Sequence, residues 1–316
     1  MLGAALLLVA ASARAAPPKK PARPAPILAA RASADGRRLV LIEARSAKLY
    51  SLETGALLAV TTGDYAGASQ FDLSASGRWL AFLRRGNLVD VKDLRGGRDW
   101  GTFQWNLLDA SALSLCGDGS TLATANGSSL QLWDRAALRA VAATRAPGVR
   151  RMWLGPDKRL LLLAQDGSLR QWDGARDRWT DWPARPGCGP PRVELSAGRD
   201  FAAVERSCGG KPLVCVRRIE DGALLARQAL PGGARLYAVS RDGKRLLALE
   251  GRRLSEYAVP GGAVARSWLL PAGVRPVFPP LLDPSWRWLA ARRSGRLLRL
   301  DLSGPVASLR VLPGGG

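Results

Sequence analysis

The sequence predicts an all-β fold, a seven-bladed β-propeller of four-stranded antiparallel blades. Three observations predict it. First, a polar turn followed by an apolar run occurs seven times, with the turn position at Gly36, Gly77, Gly119, Lys158, Gly198, Gly243 and Trp286. The intervals are 41, 42, 39, 40, 45 and 43 residues, and a repeat of about 40 residues is the size of one small antiparallel sheet whose core is completed by its neighbours. Second, three residues after each turn stands a large apolar side chain: Leu39, Leu80, Leu122, Leu161, Phe201, Leu246 and Leu289. Third, 35 glycines and 21 prolines among 316 residues suit many tight turns between short strands.

In chain order, residues Met1 to Ala11 read MLGAALLLVAA, an apolar run too short to span a bilayer as a helix. Ala13-x-Ala15 follows as a small-residue cleavage site. Residues 1–15 are therefore read as a signal peptide cut after Ala15, and the protein as periplasmic or secreted. The positive segment expected before the apolar run is missing, and an uncleaved anchor is the alternative reading. Residues 16–25, APPKKPARPA, form a Pro-rich basic linker. Beyond them no apolar stretch approaches spanning length, so the mature chain is expected to lack a transmembrane span and to be a monomer.

The blades are read at 26–65, 66–107, 108–147, 148–186, 187–233, 234–273 and 274–313, one domain over 26–313. Blade three shows the plan. Leu113-Ser114-Leu115 is an inner strand, Gly117-Asp118-Gly119-Ser120 a turn, and Thr121 to Ala125 a second strand. Asn126-Gly127 is a hairpin signal, Leu130 to Trp133 a third strand, and Ala140 to Ala143 a fourth. Trp133 and Trp172 each lie 14 residues after their turn, where blades one, two, six and seven carry Tyr50, Val91, Tyr257 and Leu300. These bulky residues suit the space between sheets. Blade five is longer by about five residues around Cys208-Gly209-Gly210-Lys211, judged against the ordinary repeat length. Blades one and seven each look complete, so sheet packing closes the ring; strand exchange by Val306 to Leu312 or by the segment near Ile27 is the alternative.

The Asp-Gly turns (Asp35-Gly36, Asp118-Gly119, Asp242-Gly243), the Trp-Asp pairs (Trp133-Asp134, Trp172-Asp173) and closing turns such as Glu53-Thr54-Gly55 and Glu220-Asp221-Gly222 carry a resemblance. The sequence resembles the WD40 and YVTN-like β-propeller families over most of its length. No Gly-His dipeptide occurs, so the buried Asp-His-Ser-Trp network of that family has no counterpart, and the likeness is to a degenerate bacterial propeller. It specifies the fold and not the task; the function expected is that of a binding scaffold, with no cofactor.

Composition narrows function. Histidine is absent, which removes Ser-His-Asp and Cys-His machinery and imidazole metal sites. No carboxylate or tyrosine constellation suggests a lyase or lactonase, so the protein is read as a non-enzyme. Cys116, Cys188, Cys208 and Cys215 show neither a CxxC pair nor zinc-like spacing. In an exported chain Cys188 and Cys208 sit on loops that a meander opens to one face, and a structural disulfide between them is expected. The formal net charge is +21, which favours polyanions through the summed field, although an arginine-rich composition accounts for it equally well.

Basic residues gather on the hairpins between second and third strands: Arg45 and Lys48, Arg84 and Arg85, Arg252 and Arg253, Arg292, Arg293 and Arg296. Blades six, seven, one and two are consecutive round a closed ring, so these residues form a positive arc suited to phosphate or carboxylate. Trp179 and Trp182 are candidate aromatic contacts. The partner expected is a protein bound on one rigid face, with an anionic polymer or anionic lipid at the same arc as the alternative.

Overall fold

The computed structural model describes residues 26–84, 88–96, 99–104, 110–146, 148–182, 187–196, 198–277, 281–283, 285–293, 296–304 and 307–311. Seven four-stranded sheets follow one another along the chain, each with its strands hydrogen-bonded in sequence order and antiparallel. They form a seven-bladed β-propeller. Among the described residues the only helical element is a single 3₁₀ turn, Pro156–Lys158.

The inner strands are Ile27–Ala32, Ala68–Leu73, Ala110–Leu115, Val149–Leu154, Arg192–Leu195, Arg235–Val239 and Arg275–Pro276. Six of them lead through a tight turn into a second strand, and in blade seven the bend before Trp288–Arg293 follows an isolated bridge between Leu282 and Leu289. At that turn the backbone enters the left-handed region at Gly36, Gly77, Gly119, Lys158, Arg199, Gly243 and Trp286. Blade five thus departs from the expectation: the turn position is Arg199, not Gly198. Its third following residue is Ala202, fully buried, and Phe201 instead packs over Gly243 of the next blade. A side chain two positions after the turn plays the same part elsewhere. Trp79 lies so close over Gly119 that a Cβ there would clash with its ring, and Arg245 stacks on Trp286 at 4.8 Å.

A residue three before the turn staples it. The hydroxyls of Ser33, Ser74, Ser196 and Ser240 accept the amide hydrogens of Arg38, Trp79, Phe201 and Arg245 at 2.9–3.1 Å. In blade three the Cys116 thiol takes that place and accepts from Thr121. This staple stabilises those five bends locally, as a capping hydroxyl does at a helix end, whereas blade four has Gly155 at the position and no side chain to form it.

Two faces result. On one, the turn after the third strand returns to the turn after the first: the amides of Leu52, Leu94, Arg135, Ile219, Val259 and Leu302 donate to the carbonyls of Arg37, Arg78, Ser120, Asp200, Lys244 and Arg287. On the other, the hairpin between second and third strands binds the connection to the next blade, as in Tyr65 to Ala44, Ala146 to Ser128 and Leu270 to Arg252. We call these the turn face and the hairpin face.

Apolar side chains of each sheet fill the space between blades. The seam between the chain's ends is built the same way. Leu39, Leu41 and Tyr50 of blade one pack with Val277, Trp288, Ala290 and Leu297 of blade seven. Both blades are contiguous in sequence, so the ring closes by packing without strand exchange. Each inner strand has a free edge toward the axis, which must find partners for its backbone groups. The preceding blade supplies them. Asp72 accepts from the Leu115 amide at 2.8 Å, Ser114 from Leu154 at 2.9 Å and Glu205 from Leu236 at 2.6 Å, while the fully buried Tyr237 donates its hydroxyl to the Val277 carbonyl at 3.1 Å.

Candidate functional site

The hairpin face carries the arginine arc, and the structure divides its members. Arg45, Arg253, Arg292 and Arg293 are exposed and form no ion pair among the described residues. Lys48 instead pairs with Glu43 at 2.6 Å, and Arg84 with Asp90 at 2.6 Å. Both acids lie on the same blade as their partners, so part of the positive charge is neutralised where it arises. Arg252 donates two hydrogen bonds to the Leu270 carbonyl, at 2.9 and 2.6 Å, and so fastens the hairpin to the connection into blade seven. Arg85 lies outside the described residues. Arg296 is placed only by its backbone pairing with Arg293 across the blade-seven hairpin.

The aromatic pair expected on blade four does not form an exposed surface. Trp182 is 4% exposed and donates from Nε1 to Gln171 Oε1 at 3.1 Å. The alternation along Arg178–Trp182 turns it toward blade five, where it packs with Val193, Ala202 and Ile219. Trp179 is half-buried and stacks on Trp172 with ring centres 6.1 Å apart. Trp172 is fully buried; Trp133 is half-buried and donates to the Thr124 hydroxyl at 2.9 Å.

A disulfide joins Cys188 and Cys208, with Cα atoms 4.3 Å apart. It ties the connection entering blade five to the tip of that blade's elongated hairpin, Phe201–Cys208 with Lys211–Arg218. Cys116 and Cys215 are free thiols. Burial pushes the Cys116 thiol up, with Asp118 adding to the effect, which makes it a poor nucleophile. Among the described residues no cluster of three or more His, Cys, Asp or Glu side chains forms a metal-binding group, and no helix is long and apolar enough to cross a membrane.

The second feature is the axial channel, about 1050 Å³ in volume and lined by all seven blades. Its wall carries Arg31, Arg150, Arg151, Arg192, Arg199, Arg241 and Arg292 against two carboxylates, Asp72 and Glu194. Asp72 is engaged by Arg199 at 2.7 Å and Glu194 by Arg192 at 3.2 Å. The Arg199 guanidinium also donates to Ser114 Oγ at 3.0 Å and to the carbonyls of Leu115 at 2.6 Å and Leu154 at 3.2 Å. From a turn of blade five it thereby reaches blades two, three and four, across the turn-face end of the channel. Burial pushes the Glu194 carboxyl up to about 7, against the opposing pull of Arg192 and Arg151, with Glu205 adding to the rise.

The inner-strand arginines were not among the residues expected from sequence. A signal existed. Arg192 and Glu194 alternate with the buried Val193, and Arg150-Arg151 stands where blade four begins. What sequence alone does not show is which strand borders the axis, or that a β-bulge between Val149 and Arg151 sets two arginines in succession at the mouth.

A scan against protein-family models finds no match to this chain, and a search of curated proteins finds none either. Among solved structures, the WD40 repeats of RRP9 align with a TM-score of 0.63 at 15% identity, covering 87% of this chain and 91% of that one. Kluyveromyces lactis Hsv2 aligns with a TM-score of 0.62 at 12% identity, covering 90% and 98%. Kuenenia stuttgartiensis hydrazine synthase aligns with a TM-score of 0.60 at 16% identity, covering 91% and 98%. At these identities the likeness is one of fold, and the fold includes that of WD40 repeat propellers.

Proposed function

We propose that the protein is a non-enzymatic scaffold of the bacterial envelope, exported by its N-terminal signal, that binds a protein partner on the hairpin face. The observation that carries this reading is the exposed set Arg45, Arg253, Arg292 and Arg293 on a rigid ring whose bends are stapled by side chains. Binding residues concentrate on loops that a stiff framework holds in place, and arginine is favoured where planar contacts to carboxylates form. Fold alone does not assign a task, so the reading rests on that face and on the sequence features of export.

A second reading is favoured by the same charge: an anionic polymer bound along the arc. Ionic strength separates the two. The mature chain is immobilised beside an Arg45→Gln/Arg253→Gln/Arg293→Gln variant and challenged with envelope extract at two salt concentrations. A protein partner is retained by the parent at both salts and lost from the variant. A polymer complex with heparin or DNA weakens steeply with salt, because each contact to a sulfate or phosphate of the polyanion releases counterions. Equal retention by parent and variant overturns both readings.

A further inference from the structure

We infer that the axial channel is a receptor site for a small soluble polyanion, a molecule bearing two or more phosphate or carboxylate groups, held between Arg31 and Arg151 with Arg150 and Arg292 at the entrance.

Size comes first. A channel of about 1050 Å³ is at the upper end of pockets that enclose small molecules. Charge is the second argument. Both wall carboxylates already have arginine partners, Asp72 with Arg199 and Glu194 with Arg192. Arg31, Arg150, Arg151 and Arg292 form no ion pair among the described residues. Arg31 uses two of its guanidinium donors on backbone carbonyls, that of Ala30 at 2.9 Å and that of Phe71 at 3.2 Å, and guanidinium carries five N–H groups in all.

Gathering cations of one sign round a channel costs free energy because they repel one another, and burial adds a loss of hydration at Arg31. Arg31 feels both effects. Burial lowers its pKa, Arg151 and Arg199 act in the same direction, and Asp72 opposes. An anion inserted between Arg31 and Arg151 relieves that repulsion, and the low-dielectric walls concentrate the field on it. Guanidinium groups bind phosphate and carboxylate oxygens with two parallel hydrogen bonds. The β-bulge that advances Arg150 and Arg151 together belongs to the class of local kinks that re-aim side chains beside sites.

The third argument selects a small ligand over a polymer. Arg199 spans the turn-face end through its bonds to blades two, three and four. A side chain crossing that end narrows it and suits a compact ligand, while Arg150 and Arg292 line the channel toward the hairpin face.

Calorimetric titration of the mature chain with inorganic pyrophosphate and with citrate, at about physiological salt, tests this. At least one binds with a dissociation constant in the micromolar range, about 10⁻⁶–10⁻⁴ M, as expected for a few charge-assisted contacts. Whichever arm saturates assigns phosphate or carboxylate as the favoured group. Arg31→Gln/Arg151→Gln weakens that binding about tenfold or more, while the hairpin variant Arg45→Gln/Arg253→Gln/Arg293→Gln stays within about twofold. Without anion, the channel variant melts at or above the parent, since it removes repulsion. If it melts lower, the single variant Arg151→Gln, altered at an exposed position on the bulge, is judged by the same affinity criterion. No heat with either anion at millimolar concentration, or an equal loss in the hairpin variant, overturns the inference.

Discussion

Single residues decide the geometry of this ring at points where local preference is overruled. Arg199 is the clearest case. It adopts a φ of 62° at a bend that favours glycine, although Gly198 stands next to it. A non-glycine residue in this region costs about 1 kcal/mol. Its guanidinium offsets that cost with contacts to Asp72, Ser114, Leu115 and Leu154. Local turn chemistry therefore points to Gly198, and only the contacts across the axis explain the shift by one. Glu194 supplies a pH-dependent test. Its pKa is 4.5 in a free chain and about 7 in the fold, so the folded form holds the proton more tightly. The stability this contributes is complete below pH 4.5 and is lost as pH rises through about 7. Urea titrations should show the parent losing on the order of 2 kcal/mol relative to Glu194→Gln across that interval. Parallel pH profiles for the two proteins would refute it.

Among the elements, blade five is the irregular one. Its second and third strands, Phe201–Cys208 and Lys211–Arg218, are the longest among the described strands at 8 residues each. The disulfide closes a separation of 20 residues at their tip. A crosslink of this loop length restricts the unfolded chain and is worth about 3 kcal/mol in the chain-entropy model. Cys188→Ser/Cys208→Ser should lower stability by about 2–3 kcal/mol in denaturant titration, with the other blades still folded. The hairpin extension was legible because Gly209-Gly210 and the 45-residue interval are local signals. The burial of Trp182 was not, because it depends on which side of the outer strand meets the next blade.

At the scale of the whole molecule, charge and packing follow different logics. The packing is repetitive, and so the blade count and strand order could be read from the period and from Asp-Gly and Asn-Gly turns. The charge is not repetitive. The channel wall takes arginines from the inner strands of blades one, four and five, at Arg31, Arg150, Arg151 and Arg192, while the inner strands of blades two and three, Ala68–Leu73 and Ala110–Leu115, carry none. The net charge of +21 gives no hint of this asymmetry, because composition averages over positions that only the closed ring separates into an axis and a rim. Hence the hairpin arginines could be proposed from sequence and the axial ones could not.

The seam between blades one and seven has one more consequence. Neither end of the chain lends a strand to the other, and the junction is made of the same side-chain contacts as its neighbours. The place where the polypeptide starts is therefore a feature of connectivity alone. A circular permutant, its original ends linked and a new break opened in the bend between blades six and seven at Pro271–Val274, should refold to the same circular dichroism spectrum with its cooperative melt preserved. A collapse to partly folded material would mean that the native order of synthesis holds the ring shut.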